Sequence, residues 1–186
     1  MGNPFSVGAI SAGQTVVDLG CGSGADACIA ALLVGDGGSV IGIDCTPAMI
    51  SKARDNAAAA GLAQVTFYVS DMTSLPIPDA SADLVISNGA INLSPDKVRV
   101  LAEAYRVLRP GGRLQIADMV RDPSAAEPTS CSATESWADC VSGTLAPDEF
   151  IAHIVNAGFS DVRLTGYTGY RTAVHTVGAL FRGQKE

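Results

Sequence analysis

Three acidic residues are spaced so that each lies at the end of an apolar run, and a glycine-rich loop lies beside the first. The loop belongs to the stretch VVDLGCGSGADAC at residues 16–28, where Asp18 precedes glycines at positions 20, 22 and 24. Asp44 ends a second apolar run and Asp71 follows a third. Because the carboxyl ends of parallel strands meet at one edge of a sheet, we expect these carboxylates to share a ligand site there.

The charge of these side chains selects the ligand. The loop fits the dinucleotide pattern G-x-G-x-x-G/A, which alone is a weak signal. A diphosphate at this loop would be repelled by Asp18, whereas S-adenosyl-L-methionine (SAM) carries an ammonium and a sulfonium group and no phosphate. We therefore predict SAM as the cofactor, with Asp44 accepting hydrogen bonds from both ribose hydroxyls and Asp71 from the adenine amino group.

The predicted cofactor site includes the loop and residues adjoining the strand ends. It comprises Asp18, Gly20, Cys21, Gly22, Gly24, Asp44, Cys45, Asp71, Met72 and Asn88. Each carboxylate also has a structural alternative: Asp18 bound to amides of its own turn, Asp44 starting a helix, and Asp71 capping a turn. Chance seldom places three carboxylates at three successive strand ends, so we favour a shared site.

Strands and helices are predicted to alternate along the chain. Strands are predicted at 15–19, 39–43, 65–69, 84–87 and 113–119, with an antiparallel pair near 161–166 and 175–181, and helices at 25–34, from 47 to the glycine at 61, from 94 to the Pro-Gly-Gly at 110–112, and at 147–157. This pattern predicts an α/β, Rossmann-like domain over residues 1–186: a mostly parallel seven-stranded sheet with an antiparallel last strand and helices on both faces. Residues 121–136 predict a lid loop, followed by a short helix at 137–145.

Composition excludes several classes of function. The 186-residue chain carries a net charge of -7, which disfavours a nucleic-acid partner, and it has no apolar stretch long enough to cross a membrane. Five cysteines without an export signal predict reduced thiols and a cytoplasmic protein. The two histidines, His153 and His175, lie apart in sequence, so no metal site is predicted and neither is favoured as a catalytic base.

The sequence also resembles a known family. VVDLGCGSG, GID at 42–44, SD at 70–71 and above all AYRVLRPGGRL at 104–114 resemble class I SAM-dependent methyltransferases. Within that group, VIGIDCTPAMISKAR at 40–54, ISNGAINLSPDK at 86–97 and WADCVSGTLAPDEF at 137–150 resemble arsenite methyltransferases. The resemblance implies the class I methyltransferase fold, SAM as cofactor, and methyl transfer to trivalent arsenic held by cysteine thiolates.

The resemblance also implies where the arsenic binds, with one departure. Cys140 matches a family cysteine and Cys131 is the second thiol we predict, whereas Gly89 stands where the family typically has a cysteine. Soft thiolates are the ligands that a soft metalloid prefers. Alternatively, Cys140 is a small buried residue and Cys131 an incidental loop thiol. The chain is also expected to lack the N-terminal arm, with its cysteines, and the C-terminal extension of longer members.

Three functions therefore stay open. The first is methyl transfer to arsenite by in-line displacement at the sulfonium methyl carbon, for which a metalloid lone pair needs no general base. The second is methylation of a small organic acceptor, with the substrate site changed at Gly89. The third is a SAM-binding domain without catalytic activity, since fold resemblance does not determine chemistry.

Overall fold

Strands and helices alternate along the chain as the hydrophobic pattern predicts. The computed structural model describes residues 1–125 and 143–186. The strands are β1 (Thr15–Leu19), β2 (Ser39–Asp44), β3 (Val65–Val69), β4 (Ala82–Asn88), β5 (Leu108–Arg121), β6 (Ser160–Tyr167) and β7 (Thr176–Gln184). The helices are α1 (Ala25–Val34), α2 (Pro47–Ala59), α3 (Lys97–Val107) and α4 (Pro147–Asn156), with short 3-10 helices at Pro4–Ser6 and Ile91–Leu93.

The described residues form one seven-stranded sheet in the order β3-β2-β1-β4-β5-β7-β6. Strand β7 runs antiparallel to both of its neighbours, and the first five strands pair in parallel. Strand order reverses between β1 and β4, which is where open α/β sheets bind ligands. The predicted fold class is confirmed.

Alternation along the strands divides the core between the two faces of the sheet. On β1, Val16 packs with α1 and α2, whereas Val17 and Leu19 pack with α3 and α4. All three side chains are fully buried. Because side chains of a strand alternate between faces, Asp18 falls on the α1 side with Val16. The fold therefore places this carboxylate beneath the start of α1.

Two predicted element starts are wrong, one for a local reason and one for a long-range reason. Helix α3 begins at Lys97 rather than at 94, because the Asp96 side chain accepts a 2.9 Å hydrogen bond from the Arg99 N–H as its N-cap. Strand β5 begins at Leu108 and runs through the predicted Pro-Gly-Gly stop. There the Gly111 N–H donates to the Lys185 carbonyl at 2.7 Å, so pairing with the distant chain end extends the strand.

Candidate functional site

A cavity of about 400 Å³ opens at the carboxyl ends of β1, β2 and β4. Its lining consists of Gly20, Gly22, Asp44, Cys45, Thr46, Met49, Asp71, Met72, Gly89, Ala90, Leu93, Ser94 and Pro95. Six residues of the predicted cofactor site are therefore together: two loop glycines, two of the three carboxylates, and the Cys and Met that follow those carboxylates. We call the side formed by residues 89, 90 and 93–95 the β4–α3 wall.

The carboxylate of Asp44 joins the glycine loop to helix α2. Its Oδ2 accepts a hydrogen bond from the Gly22 N–H and its Oδ1 accepts one from the Thr46 N–H, both at 2.9 Å. A carboxylate can accept about four hydrogen bonds, so Asp44 keeps capacity for two more donors. The residue therefore satisfies its structural alternative at the start of α2 and is also equipped to bind a pair of hydroxyl groups.

The glycine loop packs directly against the β4–α3 wall. Gly20 has φ +70°, and a Cβ added there would lie 2.1 Å from the Cβ of Ala90. The Gly20 and Cys21 N–H groups donate to the Ile43 carbonyl at 2.8 and 2.9 Å. Position 20 therefore requires glycine both for its backbone angle and for this close approach.

Asp18 lies under the loop and does not line the cavity. Its side chain is almost fully buried and accepts a hydrogen bond from the Ala27 N–H of α1, so its structural alternative is present in part. Its Oδ2 has no hydrogen-bond partner within the described residues. Burial, followed by the nearby negative charge of Asp26, raises the pKa of Asp18 to about 8. A nearby cationic ligand would stabilise the ionised form of this buried group and a phosphate would oppose it, so the site suits a cation rather than a phosphate.

Asp71 forms a tight turn at the rim of the cavity. Its Oδ1 accepts hydrogen bonds from both the N–H and the hydroxyl of Thr73, each at 2.8 Å. These two bonds lower the pKa of Asp71, so its carboxylate is the stable form. Asp71 thus caps a turn, the structural role that the sequence offers as an alternative to ligand binding. Its carboxylate nevertheless lines the cavity beside Met72.

Three other residues of the predicted site lie outside the lining. Asn88 donates through Nδ2 to the Gly2 carbonyl at 3.0 Å and to Asp26 Oδ2 at 2.9 Å, and its Oδ1 accepts from the Gly2 N–H at 3.3 Å. Burial, then the charges of Asp18 and Asp44, raise the pKa of the Cys21 thiol. Gly24 is the N-cap of α1 and would place a Cβ 3.0 Å from Ala53. These residues therefore lie behind the glycine loop rather than in the cavity lining.

The sequence prediction missed part of the lining. The missed residues, Thr46, Met49, Ala90, Leu93, Ser94 and Pro95, all follow the carboxyl ends of β2 and β4. Their positions just after strand ends are the sequence signal that could have identified them. Neither histidine lines the cavity. The predicted thiols Cys131 and Cys140, most of the lid at 121–136 and residues 137–142 of the predicted short helix lie outside the described residues. The end of that helix, 143–145, is described and is not helical, because Leu145 forms a β-bridge with Val120.

The described residues form neither a metal cluster nor a membrane-spanning helix. Within residues 1–125 and 143–186, no three or more His, Cys, Asp and Glu side chains are grouped to hold a metal ion. In those ranges no helix has the length and hydropathy needed to cross a bilayer.

Comparison with known proteins identifies the family to which this fold and cavity belong. A family described as "Methyltransferase domain" matches residues 10–161. The chain belongs to this family, as a class I SAM-dependent methyltransferase domain, and SAM is the cofactor of this class.

Several curated relatives share one name. An arsenite methyltransferase of Halobacterium salinarum is 43% identical over 88% of this chain and 41% of its own length. The human arsenite methyltransferase is 34% identical over 80% of this chain and 42% of its own. The chain thus spans less than half the length of these relatives.

A solved structure that resembles this chain also belongs to an arsenic methyltransferase. An arsenic (III) S-adenosylmethionine methyltransferase from Chlamydomonas reinhardtii superposes with a TM-score of 0.79 at 36% identity, covering 95% of this chain and 64% of its own. A relative with another acceptor in its name, the 27-O-demethylrifamycin SV methyltransferase of Amycolatopsis mediterranei, is 32% identical over 95% of this chain and 65% of its own.

Proposed function

We propose that this protein transfers the methyl group of SAM to trivalent arsenic held by cysteine thiolates. The observation that carries the proposal is the composition of the cavity. Nine of its thirteen lining residues fall within 40–54 and 86–97, two of the segments that resemble arsenite methyltransferases. The relatives named above support the same acceptor.

The cofactor supplies an activated methyl group on a positively charged sulfur. In the proposal, Asp44 and Asp71 hold its hydroxyl and amino groups and the Gly20–Gly22 loop gives it close access to the backbone, while its cationic end would stabilise the ionised form of Asp18. In-line displacement requires the acceptor to be held in contact with the methyl carbon, and such positioning supplies several kcal/mol of the barrier. The only charged side chains in the described lining are two carboxylates, Asp44 and Asp71. Because the proposal assigns both to the cofactor, no charged side chain of the described lining is left to act as a base, which suits a nucleophile that needs no proton removed.

Cys140 and Cys131 are the proposed arsenic ligands. The test measures methylated arsenic formed from arsenite, SAM and glutathione, for the wild type and for Cys140→Ser and Cys131→Ser. We expect each substitution to lower turnover at least tenfold, because a serine hydroxyl is a poor ligand for a soft metalloid. Cys28→Ser is the matched control, since Cys28 lies on α1 and does not line the cavity. Full activity in both serine variants would remove the thiols from the mechanism.

Methylation of a small organic acceptor is the second candidate. It is favoured by Gly89, which lines the cavity where the family typically has a cysteine, and by the similarity to the rifamycin-modifying relative. A panel of phenols, amines and thiols, assayed for S-adenosylhomocysteine without arsenic, separates the two candidates. Turnover with the panel and none with arsenite would establish the second. SAM binding without product from any acceptor would indicate a non-catalytic domain.

The proposal includes the setting in which the protein works. It is a cytoplasmic protein of one domain over residues 1–186, with a small metalloid substrate and no nucleic-acid partner. Support comes from the net charge of -7 and from free thiols at Cys21, Cys28 and Cys45, which suit a reducing compartment.

A further inference from the structure

A buried carboxylate lies behind the β4–α3 wall. Asp118, on β5, is fully buried. Its Oδ2 accepts hydrogen bonds from the Ile91 N–H at 3.0 Å and the Asn92 N–H at 3.3 Å, and its Oδ1 accepts one from its neighbour Met119 at 2.7 Å. The bonds to Ile91 and Asn92 reach the backbone that connects Ala90 to Leu93. The carboxylate therefore ties the backbone of the wall to a central strand of the sheet.

The side chain of Asn92 completes this connection. It is fully buried, and its Nδ2 donates to Asp118 Oδ1 at 2.9 Å and to the Met119 carbonyl at 2.6 Å. Its Oδ1 has no hydrogen-bond partner within the described residues. The two bonds made by its amide group therefore fix the Asn92 side chain against β5.

The wall is supported from a second direction by Gly143 and Lys97. A Cβ added at position 143 would lie 2.2 Å from the Asn92 carbonyl oxygen and 3.3 Å from Lys97 Nζ. The Lys97 ammonium in turn donates to the Ser94 carbonyl at 3.0 Å. The backbone at Asn92 and Ser94 is thus approached by groups that do not themselves line the cavity.

We propose that Asp118 and Asn92 are positioning residues for methyl transfer, which hold the β4–α3 wall at the distance from the cofactor that the acceptor requires. The proposal rests on the proposed function, because it takes the acceptor to lie against this wall. The wall presents Ala90, Leu93 and Pro95, whose side chains carry no acid or base, so its contribution is shape. Displacement at a single carbon is sensitive to shape, since a misplacement of about 1 Å can slow a reaction about 100-fold.

Exchanging the two side chains tests this role. In Asp118→Asn the new amide group must face N–H donors in either orientation, because both carboxylate oxygens accept from N–H groups. In Asn92→Asp two carboxylates would meet at a 2.9 Å contact. The double exchange, Asp118→Asn with Asn92→Asp, restores a donor opposite an acceptor between the two side chains but leaves their contacts with the Met119 N–H and carbonyl mismatched, so recovery is partial. Asp83→Asn is the matched control, because Asp83 lies at the other end of β4 and accepts from the Thr15 N–H.

The kinetic readout is methyl transfer with whichever acceptor gives the highest wild-type turnover, measured beside SAM binding by calorimetry. We expect each single variant to lower kcat about 10- to 100-fold while the Kd for SAM changes less than threefold, and the double variant to recover part of kcat. Loss of SAM affinity in proportion to kcat, without recovery in the double variant, would assign the pair a structural role only and overturn the proposal.

A second readout does not depend on turnover and keeps the proposal separate from the proposed function. Hydrogen exchange of the Ile91 and Asn92 amides should accelerate at least tenfold in Asp118→Asn, slow again in the double variant, and stay at the wild-type rate in Asp83→Asn. Unchanged exchange in Asp118→Asn would refute the positioning role, even in a protein that methylates no arsenic. Normal exchange effects with no arsenite turnover would instead refute the acceptor assignment alone.

Discussion

The Asp44 carboxylate accepts a 2.9 Å hydrogen bond from the backbone N–H of Gly22. This bond joins the end of the second strand to the glycine loop that follows the first, and both residues line the cavity. The side chain proposed to bind the cofactor therefore also holds the loop on which the cofactor lies. A substitution of Asp44 is therefore expected to remove a cofactor contact and to release the loop together.

Replacement of Asp44 by alanine should weaken SAM binding by about 1–3 kcal/mol, because charge-assisted hydrogen bonds to the cofactor are lost and the loop loses its tether. Calorimetry with SAM measures the effect. Asp36→Ala is the control, since Asp36 is an exposed carboxylate in the turn after α1 and is absent from the lining. Equal affinity in the two variants would exclude Asp44 from the site.

Asp18 should make stability depend on pH. Its pKa is raised from the ordinary 3.8 to about 8 in the folded protein, chiefly by burial. The folded state therefore holds this proton more tightly than the unfolded chain. The resulting stability is fully present below pH 3.8 and is lost as pH rises through 8.

The isosteric variant Asp18→Asn removes this titration. Between pH 5 and 7.5 the wild type should lose on the order of 3 kcal/mol more stability than the variant, at about 1.4 kcal/mol for each pH unit. Urea unfolding across that range measures the difference, in which all other titrating groups cancel. Parallel stability curves for the two proteins would contradict the buried, proton-binding state.

An ion pair between the buried Glu103 and the partly exposed Arg106 should stabilise the loop that carries Asp71. The Glu103 carboxylate accepts from the Leu75 N–H and from the Arg106 guanidinium, each at 2.8 Å. Glu103→Gln should lower the free energy of unfolding by about 2 kcal/mol, since it leaves the Arg106 guanidinium without its charged partner. Arg99→Ala should cost less than about 0.5 kcal/mol, because Arg99 is largely exposed. Equal costs in urea unfolding would show that the pair has no special role.

Alanine substitutions at two glycines distinguish the free-energy cost of backbone strain from the cost of steric overlap. Both Gly20 and Gly111 have positive φ, but a Cβ would meet Ala90 at 2.1 Å in the first and no atom within 4 Å in the second. Gly111→Ala should therefore cost only about 1–2 kcal/mol for the left-handed conformation. Gly20→Ala should cost clearly more and should also weaken SAM binding. Thermal unfolding of both variants measures the two costs, and similar values would indicate that the β4–α3 wall moves aside without penalty.

The features that the sequence predicts well are those fixed locally. Strand alternation placed Asp44 and Asp71 at one edge, because each carboxylate directly follows an apolar run and parallel strands end together. The first predicted strand, Thr15–Leu19, has the bounds found in the structure. Local hydrophobic period and turn chemistry suffice for such elements.

The features that the sequence does not predict depend on partners far along the chain. The amide of Asn88, for example, binds Gly2, 86 positions away. Likewise, the pairing of Gly111 with Lys185 lengthens β5 beyond its predicted start. Neither partner can be inferred from local spacing, because only the folded sheet brings them together.

The bonds between Asn88 and Gly2 have a practical consequence for making the protein. A Cβ at Gly89 would lie 2.5 Å from the Met1 side chain, so the first residue lies at the entrance of the cavity. Lys185, by contrast, donates to the carbonyls of Tyr105 and Leu108 at the opposite end of the sheet. An affinity tag joined ahead of Met1 would emerge beside this cavity, whereas one joined after Glu186 would emerge away from it.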